Sequence, residues 1–128
     1  MHIQIGHVSQ GAGEYIGRAG RGRAASSLAN PFRIGKDGTR EEVITRYKSW
    51  LWKQIQAGNR HVMAELVRLR GLAQRPEGVT LACFCRSVGE AEPQCHGDVI
   101  AKALAWLDGH LQDPLVAEAI LLGGVPLP

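Results

Sequence analysis

The residues best suited to chemistry lie in two short segments of the second half of the chain. One is Cys83-Phe84-Cys85, which ends a nearly continuous apolar run, and the other is Cys95-His96-Gly97-Asp98, which opens a segment with helical spacing. In open α/β sheets, ligands bind beyond the carboxyl ends of the strands, where the next helix offers its N-terminal amides to anions. Both segments are therefore expected at one edge of a sheet, in the position of a ligand site.

Three interpretations of these cysteines are open. In the first, Cys95 and His96 face a phosphate or a sugar and act as nucleophile or general acid and base, because a helix N-terminus and a histidine favour the thiolate. Asp98 then either orients His96 or caps the helix. In the second, Cys83, Cys85, Cys95 and His96 hold zinc, although the C-x-C spacing is shorter than the usual ligand pairs. In the third, the cysteines are small buried hydrophobes and the backbone satisfies His96.

The segment 15–38 is rich in glycine and arginine, and its lack of periodicity predicts an extended loop. From residue 15 to residue 40 there are six basic residues against Asp37, a balance of +5, whereas residues 86–128 have two basic and six acidic residues, a balance of −4. An anionic partner is therefore expected at the first of these segments. Arginine can contact phosphate in a planar, bidentate way, and glycine permits close backbone approach. The candidate ligand-binding residues are Tyr15, Gly17, Arg18, Asn30, Pro31, Phe32, Arg33, Cys85 and Gly97.

Hydrophobic spacing predicts the elements that position these residues. Residues 2–8 alternate between polar and apolar, which predicts a strand with one buried face, and Tyr15-Ile16 predicts a second short strand. The apolar run 79–85 predicts a central strand covered on both faces. Helices are predicted from the Thr39 capping box to Gly58, from Asn59 to Gly71, and from Cys95 through Leu111.

Length and composition favour one domain over residues 1–128. The chain has 45% hydrophobic and 21% charged residues, which suffices for a single core. It has neither the run of about 20 apolar residues of a membrane helix nor the pattern of a signal peptide. Three cysteines are an odd number and do not suggest a disulfide framework. A cytoplasmic protein without membrane contact is therefore expected, and the leucines of the tail 113–128 suit a homodimer contact.

Several motifs in this order resemble the domain-of-unknown-function 4326 family of bacterial and phage proteins. They are Tyr15-Ile16-Gly17-Arg18, Asn30-Pro31-Phe32, the helix start at 35–44, Trp50-Leu51, Leu81-Ala82-Cys83-Phe84-Cys85 and Cys95-His96-Gly97-Asp98-Val99-Ile100. The second half is also similar, more distantly, to the domain-of-unknown-function 488 family, and that similarity implies a small Rossmann-like α/β domain. Gly97 stands where that second family has arginine, so an anion contact at this position is not expected to be shared.

These observations predict a small, Rossmann-like, three-layer α/β domain with a short and mainly parallel sheet. The expected function is to bind or process a nucleotide or another phosphorylated small molecule. Arg18, Arg33 and the helix-start amides would hold phosphate, and Asn30 would orient a sugar or a base. The alternative is a non-enzymatic nucleic-acid-binding accessory protein whose cysteines are structural or hold zinc. Two phenylalanines and two tyrosines are few for stacking along a strand of nucleic acid.

Overall fold

A three-stranded parallel sheet is the frame of the molecule. The computed structural model describes residues 1–7, 13–20, 22–83 and 95–112, and its strands are β1 (Ile3–His7), β2 (Glu14–Tyr15) and β3 (Val79–Cys83). The strand order is β1-β3-β2, with Ile3 opposite Val79 and Tyr15 opposite Ala82. The α/β class, the parallel sheet and the central place of β3 are confirmed.

Three helices accompany the sheet, as the spacing predicts. They are α1 (Arg40–Gln56), α2 (Arg60–Ala73) and α3 (His96–Leu111). The end of α2 differs from the prediction, because the helix continues past Gly71 to Ala73. Ala73 is fully buried in the core, so packing of the last turn outweighs the low helix propensity of glycine.

The start of α1 is the capping box that the sequence predicts. The Thr39 hydroxyl accepts from the Glu42 amide at 3.2 Å, and the Glu42 carboxylate accepts from the Thr39 amide at 3.1 Å. The bonds from Thr39, backbone first, lower the pKa of Glu42. The two hydrogen bonds therefore stabilise the folded chain at neutral pH, and this stabilisation is lost as the pH falls through the lowered pKa of Glu42.

One hydrophobic core lies on the face of β3 that carries Val79 and Leu81. Both residues belong to the same buried cluster as the inner faces of the three helices. Both α2 and α3 contact the sheet, and α1 packs on α2 and α3. Ala82 points away from this core, because side chains alternate along a strand. Within the described residues the three helices share this one core, and the three-layer arrangement stays a prediction.

Two glycines on outer helix faces offer a direct test of helix propensity. Gly71 in α2 and Gly109 in α3 are exposed, and an added Cβ would meet no other atom within 4 Å at either position. We expect Gly71→Ala and Gly109→Ala each to raise the free energy of unfolding by about 0.5–1 kcal/mol, because alanine loses less conformational entropy in a helix. Urea unfolding followed by circular dichroism measures the change, and a lower midpoint for either variant would contradict it.

None of the helices in the described part of the chain is both long and apolar enough to cross a membrane. Residues 84–94 and 113–128 lie outside the described residues, and so does the homodimer contact predicted for the tail 113–128.

Candidate functional site

The start of α3 is built around Cys95, which is the N-cap residue of that helix. Its Sγ accepts from the Gly97 amide at 3.3 Å, and the Asp98 carboxylate accepts from the Cys95 amide at 3.2 Å. Of the two roles predicted for Asp98, the cap is the one that the geometry shows. Cys95 is 0% exposed, so its thiol lies inside the protein. The amides of Gly97 and Asp98 already donate to Cys95, which leaves these two amides satisfied without an anion.

His96 joins α3 to the segment that follows β2. Its side chain is only 2% exposed, and its Nε2–H donates to the Ile16 carbonyl at 2.8 Å. The proton lies on Nε2, because a carbonyl can only accept. The ring also meets Tyr47 of α1 edge to face, with 5.2 Å between centroids. His96 therefore links three parts of the chain, and its contact with the backbone is the one that the third interpretation predicts.

Gly97 lets α3 approach the sheet closely. A Cβ at this position would lie 3.2 Å from side-chain atoms of both Ile5 and Ile16. The residue is buried against these two side chains, so its position is explained by packing.

Arg18 and Asn30 fix the Asn-Pro-Phe turn to the rest of the domain. The Nη1 atom of Arg18 donates to the carbonyls of Asn30 at 3.0 Å and Phe32 at 3.3 Å. The Asn30 side chain is buried, with Nδ2 donating to the Val43 carbonyl at 3.4 Å and Oδ1 accepting from the Phe32 amide at 2.9 Å. Tyr47 binds the same segment by donating its hydroxyl to the Leu28 carbonyl at 2.6 Å. The long loop is therefore anchored to α1 by hydrogen bonds.

Tyr15 and Arg23 flank Arg18 on its other side. The Tyr15 hydroxyl donates to the Arg18 carbonyl at 2.5 Å, and the guanidinium carbon of Arg23 lies 5.6 Å from the centroid of the Tyr15 ring. Gly17 lies beneath that ring, since a Cβ there would come within 2.6 Å of the Tyr15 Cζ atom. The residues that the sequence singled out in this segment are thus in mutual contact.

Arg46 of α1 ends a series of contacts that link arginines and aromatic residues, two of them through the backbone carbonyls of Arg18 and Phe32. Its guanidinium carbon lies 5.9 Å from the centroid of the Phe32 ring. Contacts therefore run from Arg23 to Tyr15, Arg18, Phe32 and Arg46 in turn. We call these five residues the arginine–aromatic surface.

The arginines of this surface differ from Arg68 and Arg70 of α2 in their partners. Among the described residues, Arg18, Arg23 and Arg46 form no ion pair, and all three are exposed. The charge of Arg46 has a minor effect on Glu42, four residues earlier in α1, and lowers the pKa of that carboxyl. In contrast, Arg68 bonds Glu65 and Glu14, which raises the pKa of Arg68, and Arg70 pairs with Asp108 at 3.0 Å.

Two other candidates lie next to this surface. Pro31 is exposed between Asn30 and Phe32. Arg33 is exposed as well, and its backbone amide donates to the Asp37 carboxylate at 2.8 Å. Its guanidinium forms no ion pair with the part of the chain that the structure describes. Arg33 thus extends the cationic character of the surface toward the turn at 34–37.

The predicted zinc site lies largely outside the described residues. Cys85 and the side chain of Cys83 are not among them, and the described residues contain no group of three or more metal-ligating side chains. The zinc alternative with Cys83, Cys85, Cys95 and His96 stays a prediction. The assignment of Cys95 and His96 as catalytic residues also stays a prediction. Both side chains are buried.

Sequence reasoning missed Arg46 and Tyr47 as parts of the site. Arg46 falls on the exposed face of α1 and Tyr47 on its buried face. Helical spacing gives the face on which a residue lies, but it does not tell which loop packs there.

Fold and site together define a small α/β domain in which an arginine-rich segment follows an edge strand of a short parallel sheet. The model of the family described as Domain of unknown function (DUF4326) matches residues 3–106. The chain belongs to this family, which confirms the resemblance seen in its motifs. Comparisons with the curated proteins and with the solved structures found no match.

Proposed function

We propose that this chain binds a nucleotide or another phosphorylated small molecule at the arginine–aromatic surface. The observation that supports this function best is a set of exposed arginines that have no carboxylate partner among the described residues: Arg18, Arg23, Arg33 and Arg46. Exposed arginines that no carboxylate neutralises attract anions. Phosphate is the anion that guanidinium groups recognise best, through paired N–H donors.

Arg18 is the residue best prepared to hold phosphate. The two carbonyls that it binds occupy Nη1, and a guanidinium has further donors on Nη2 and Nε. These carbonyl bonds fix the orientation of the side chain before a ligand arrives, which lowers the entropy cost of binding. Asn30 contributes by holding the turn, because its side-chain amide is already bonded to Val43 and Phe32.

The buried groups at the start of α3 have a supporting part in this proposal. Cys95 caps the helix, and His96 holds Ile16, two residues before Arg18. Binding is therefore assigned to the arginines, without a chemical step at Cys95 or His96.

Removal of single arginines from the surface tests this function. We expect Arg33→Ala and Arg46→Ala each to weaken binding of inorganic pyrophosphate about tenfold, since a hydrogen bond to a charged group contributes about 1.5–3 kcal/mol. Isothermal titration calorimetry at low ionic strength gives the dissociation constants. Arg60→Ala is the matched control, because Arg60 is an exposed arginine on α2, outside the surface. Equal losses in all three variants, or no binding by the unaltered chain, would contradict the proposal.

The alternative function, as a nucleic-acid-binding accessory protein, gives a different salt dependence. Binding to a nucleic-acid backbone weakens steeply with salt, because each neutralised phosphate releases counterions. A pocket for one small phosphorylated molecule responds far less. Titrations of pyrophosphate and of short single-stranded DNA at several salt concentrations therefore separate the two. Tight, strongly salt-dependent binding of DNA without binding of pyrophosphate would favour the accessory protein.

A further inference from the structure

Two aromatic side chains of the described residues stand apart from the core. Tyr47 is part of the core cluster, and Trp50, Trp52 and Trp106 pack against it, whereas Tyr15 and Phe32 do neither. Both are partly exposed, and each has an arginine over its ring. Burying an aromatic ring is strongly favourable. Two rings kept out of the core, beside cations that pair with no carboxylate of the described residues, therefore point to a use other than packing.

The backbone of Phe32 is held in place by side chains on either side of it. Its amide donates to the Asn30 side chain at 2.9 Å, and its carbonyl accepts from Arg18 at 3.3 Å. Asn30 is in turn bonded to the Val43 carbonyl of α1. Polar contacts therefore fix the backbone that carries the ring, which lowers the entropy cost of binding a planar group there.

Tyr15 is less suited to such a role. Its hydroxyl is bonded to the Arg18 carbonyl, its ring lies over Gly17, and Arg23 lies over the ring. Phe32 has no polar group to satisfy, and the contact described for its ring is the one with Arg46.

We propose that the ligand carries a nucleobase that stacks on Phe32, while the neighbouring arginines hold its phosphate. Aromatic side chains bind bases of any kind by stacking, and arginine adds a cation–π contact to the same ring. This inference rests on the proposed function, because the phosphate contacts bring the base to the ring. Base stacking would distinguish nucleotides from sugar phosphates, which have no aromatic ring to stack.

The same chemistry, a base next to a phosphate, occurs in a free nucleotide and in a single strand of nucleic acid. The test therefore compares ligands with and without a base in both settings. Ribose 5-phosphate is compared with AMP, GMP, CMP and UMP, and short homopolymeric DNA is compared with an abasic strand of equal length. Dissociation constants come from isothermal titration calorimetry.

We expect at least one nucleoside monophosphate to bind about tenfold more tightly than ribose 5-phosphate, in the range that base stacking on an aromatic ring provides. Phe32→Leu should remove this gain, so that the variant binds the nucleoside monophosphate no more tightly than it binds ribose 5-phosphate. Phe32→Tyr should keep the gain, because the ring is retained. Ile34→Ala is the control for an apolar change in the same loop, since Ile34 is 56% exposed. An unchanged thermal midpoint shows that Phe32→Leu is folded.

The outcomes distinguish this inference from the function on which it rests. Equal binding of ribose 5-phosphate and all four nucleotides would overturn base stacking and leave phosphate binding intact. A gain that persists in Phe32→Leu would also overturn it. Absence of binding for every small ligand would overturn the proposed function. In that case, the DNA strands decide about stacking. If the chain prefers the strand with bases over the abasic strand, and Phe32→Leu abolishes this preference, the base comes from a nucleic-acid strand. If the chain shows no such preference, stacking is rejected altogether.

Discussion

Replacement of Gly78 by alanine should lower the free energy of unfolding by about 2–5 kcal/mol, the sum of a left-handed backbone penalty and of steric overlap. Gly78 immediately precedes β3 and has φ +67°. A Cβ there would lie 2.5 Å from the His2 carbonyl oxygen and 2.7 Å from the His2 Cβ. The overlap is with backbone that cannot rotate away, because the His2 carbonyl accepts from the Val79 amide at 3.0 Å and the His2 amide donates to Ala73 at 2.9 Å.

A second glycine separates the two causes of this effect. Gly35 also has a left-handed backbone, with φ +89°, but no atom lies within 4 Å of a Cβ added there. Gly35→Ala should therefore show only the backbone penalty, about 1–2 kcal/mol. Urea unfolding of both variants, followed by tryptophan fluorescence, gives the difference. Similar midpoints for the two would mean that the beginning of β3 adjusts its position without cost.

Replacement of His96 by alanine should also be strongly destabilising, by about 2–4 kcal/mol, because it opens a cavity and leaves a buried carbonyl without its donor. The carbonyl is that of Ile16, and the cavity would lie beside the Tyr47 ring. His61→Ala is the matched control: His61 is exposed on α2, so its loss should change stability by less than about 0.5 kcal/mol.

Tyr47→Phe completes this experiment, because it keeps the ring and removes only the hydroxyl that binds the Leu28 carbonyl. We expect a loss of about 1–3 kcal/mol for an unsatisfied buried acceptor. The double variant should cost a different amount from the sum of the two, because the rings are in contact. Additive effects would show that the two side chains act independently. A His96→Ala variant as stable as the unaltered chain would show that the link between α3 and the segment after β2 carries no stability.

Much of the fold could be predicted because its signals are local. The Thr39 and Glu42 capping box, the helical stripe that follows it, and the apolar run of β3 each act over a few residues, and all three elements are present. The strand 14–15 was displaced by one residue from its prediction at 15–16. A two-residue strand takes its position from its partner, here Leu81 and Ala82, which local spacing does not reveal.

The site was predicted as a set of residues and not as a set of contacts. Tyr15, Arg18, Asn30 and Phe32 are in contact, but the partner of Asn30 is the Val43 carbonyl and the partner of His96 is a carbonyl 80 positions earlier. Contacts over such separations depend on the packing of helices against loops. For Cys95 the pattern was ambiguous, because a cysteine three residues before an aspartate fits a nucleophile at a helix start as well as a capping box.

The order of strands in the sheet also has a consequence for the moment at which the protein can fold during its synthesis. β1 and β2 do not pair with each other; both pair with β3, which lies between them. Ile3 and its partner Val79 are 76 positions apart, so both early strands leave the ribosome long before the strand that joins them. The hairpin of α1 and α2 needs only contacts between neighbouring residues and can form first. Closure of a chain loop over 76 positions is slow by comparison. The backbone groups of β1 and β2 therefore have no strand partner until the residues of β3 have been synthesised.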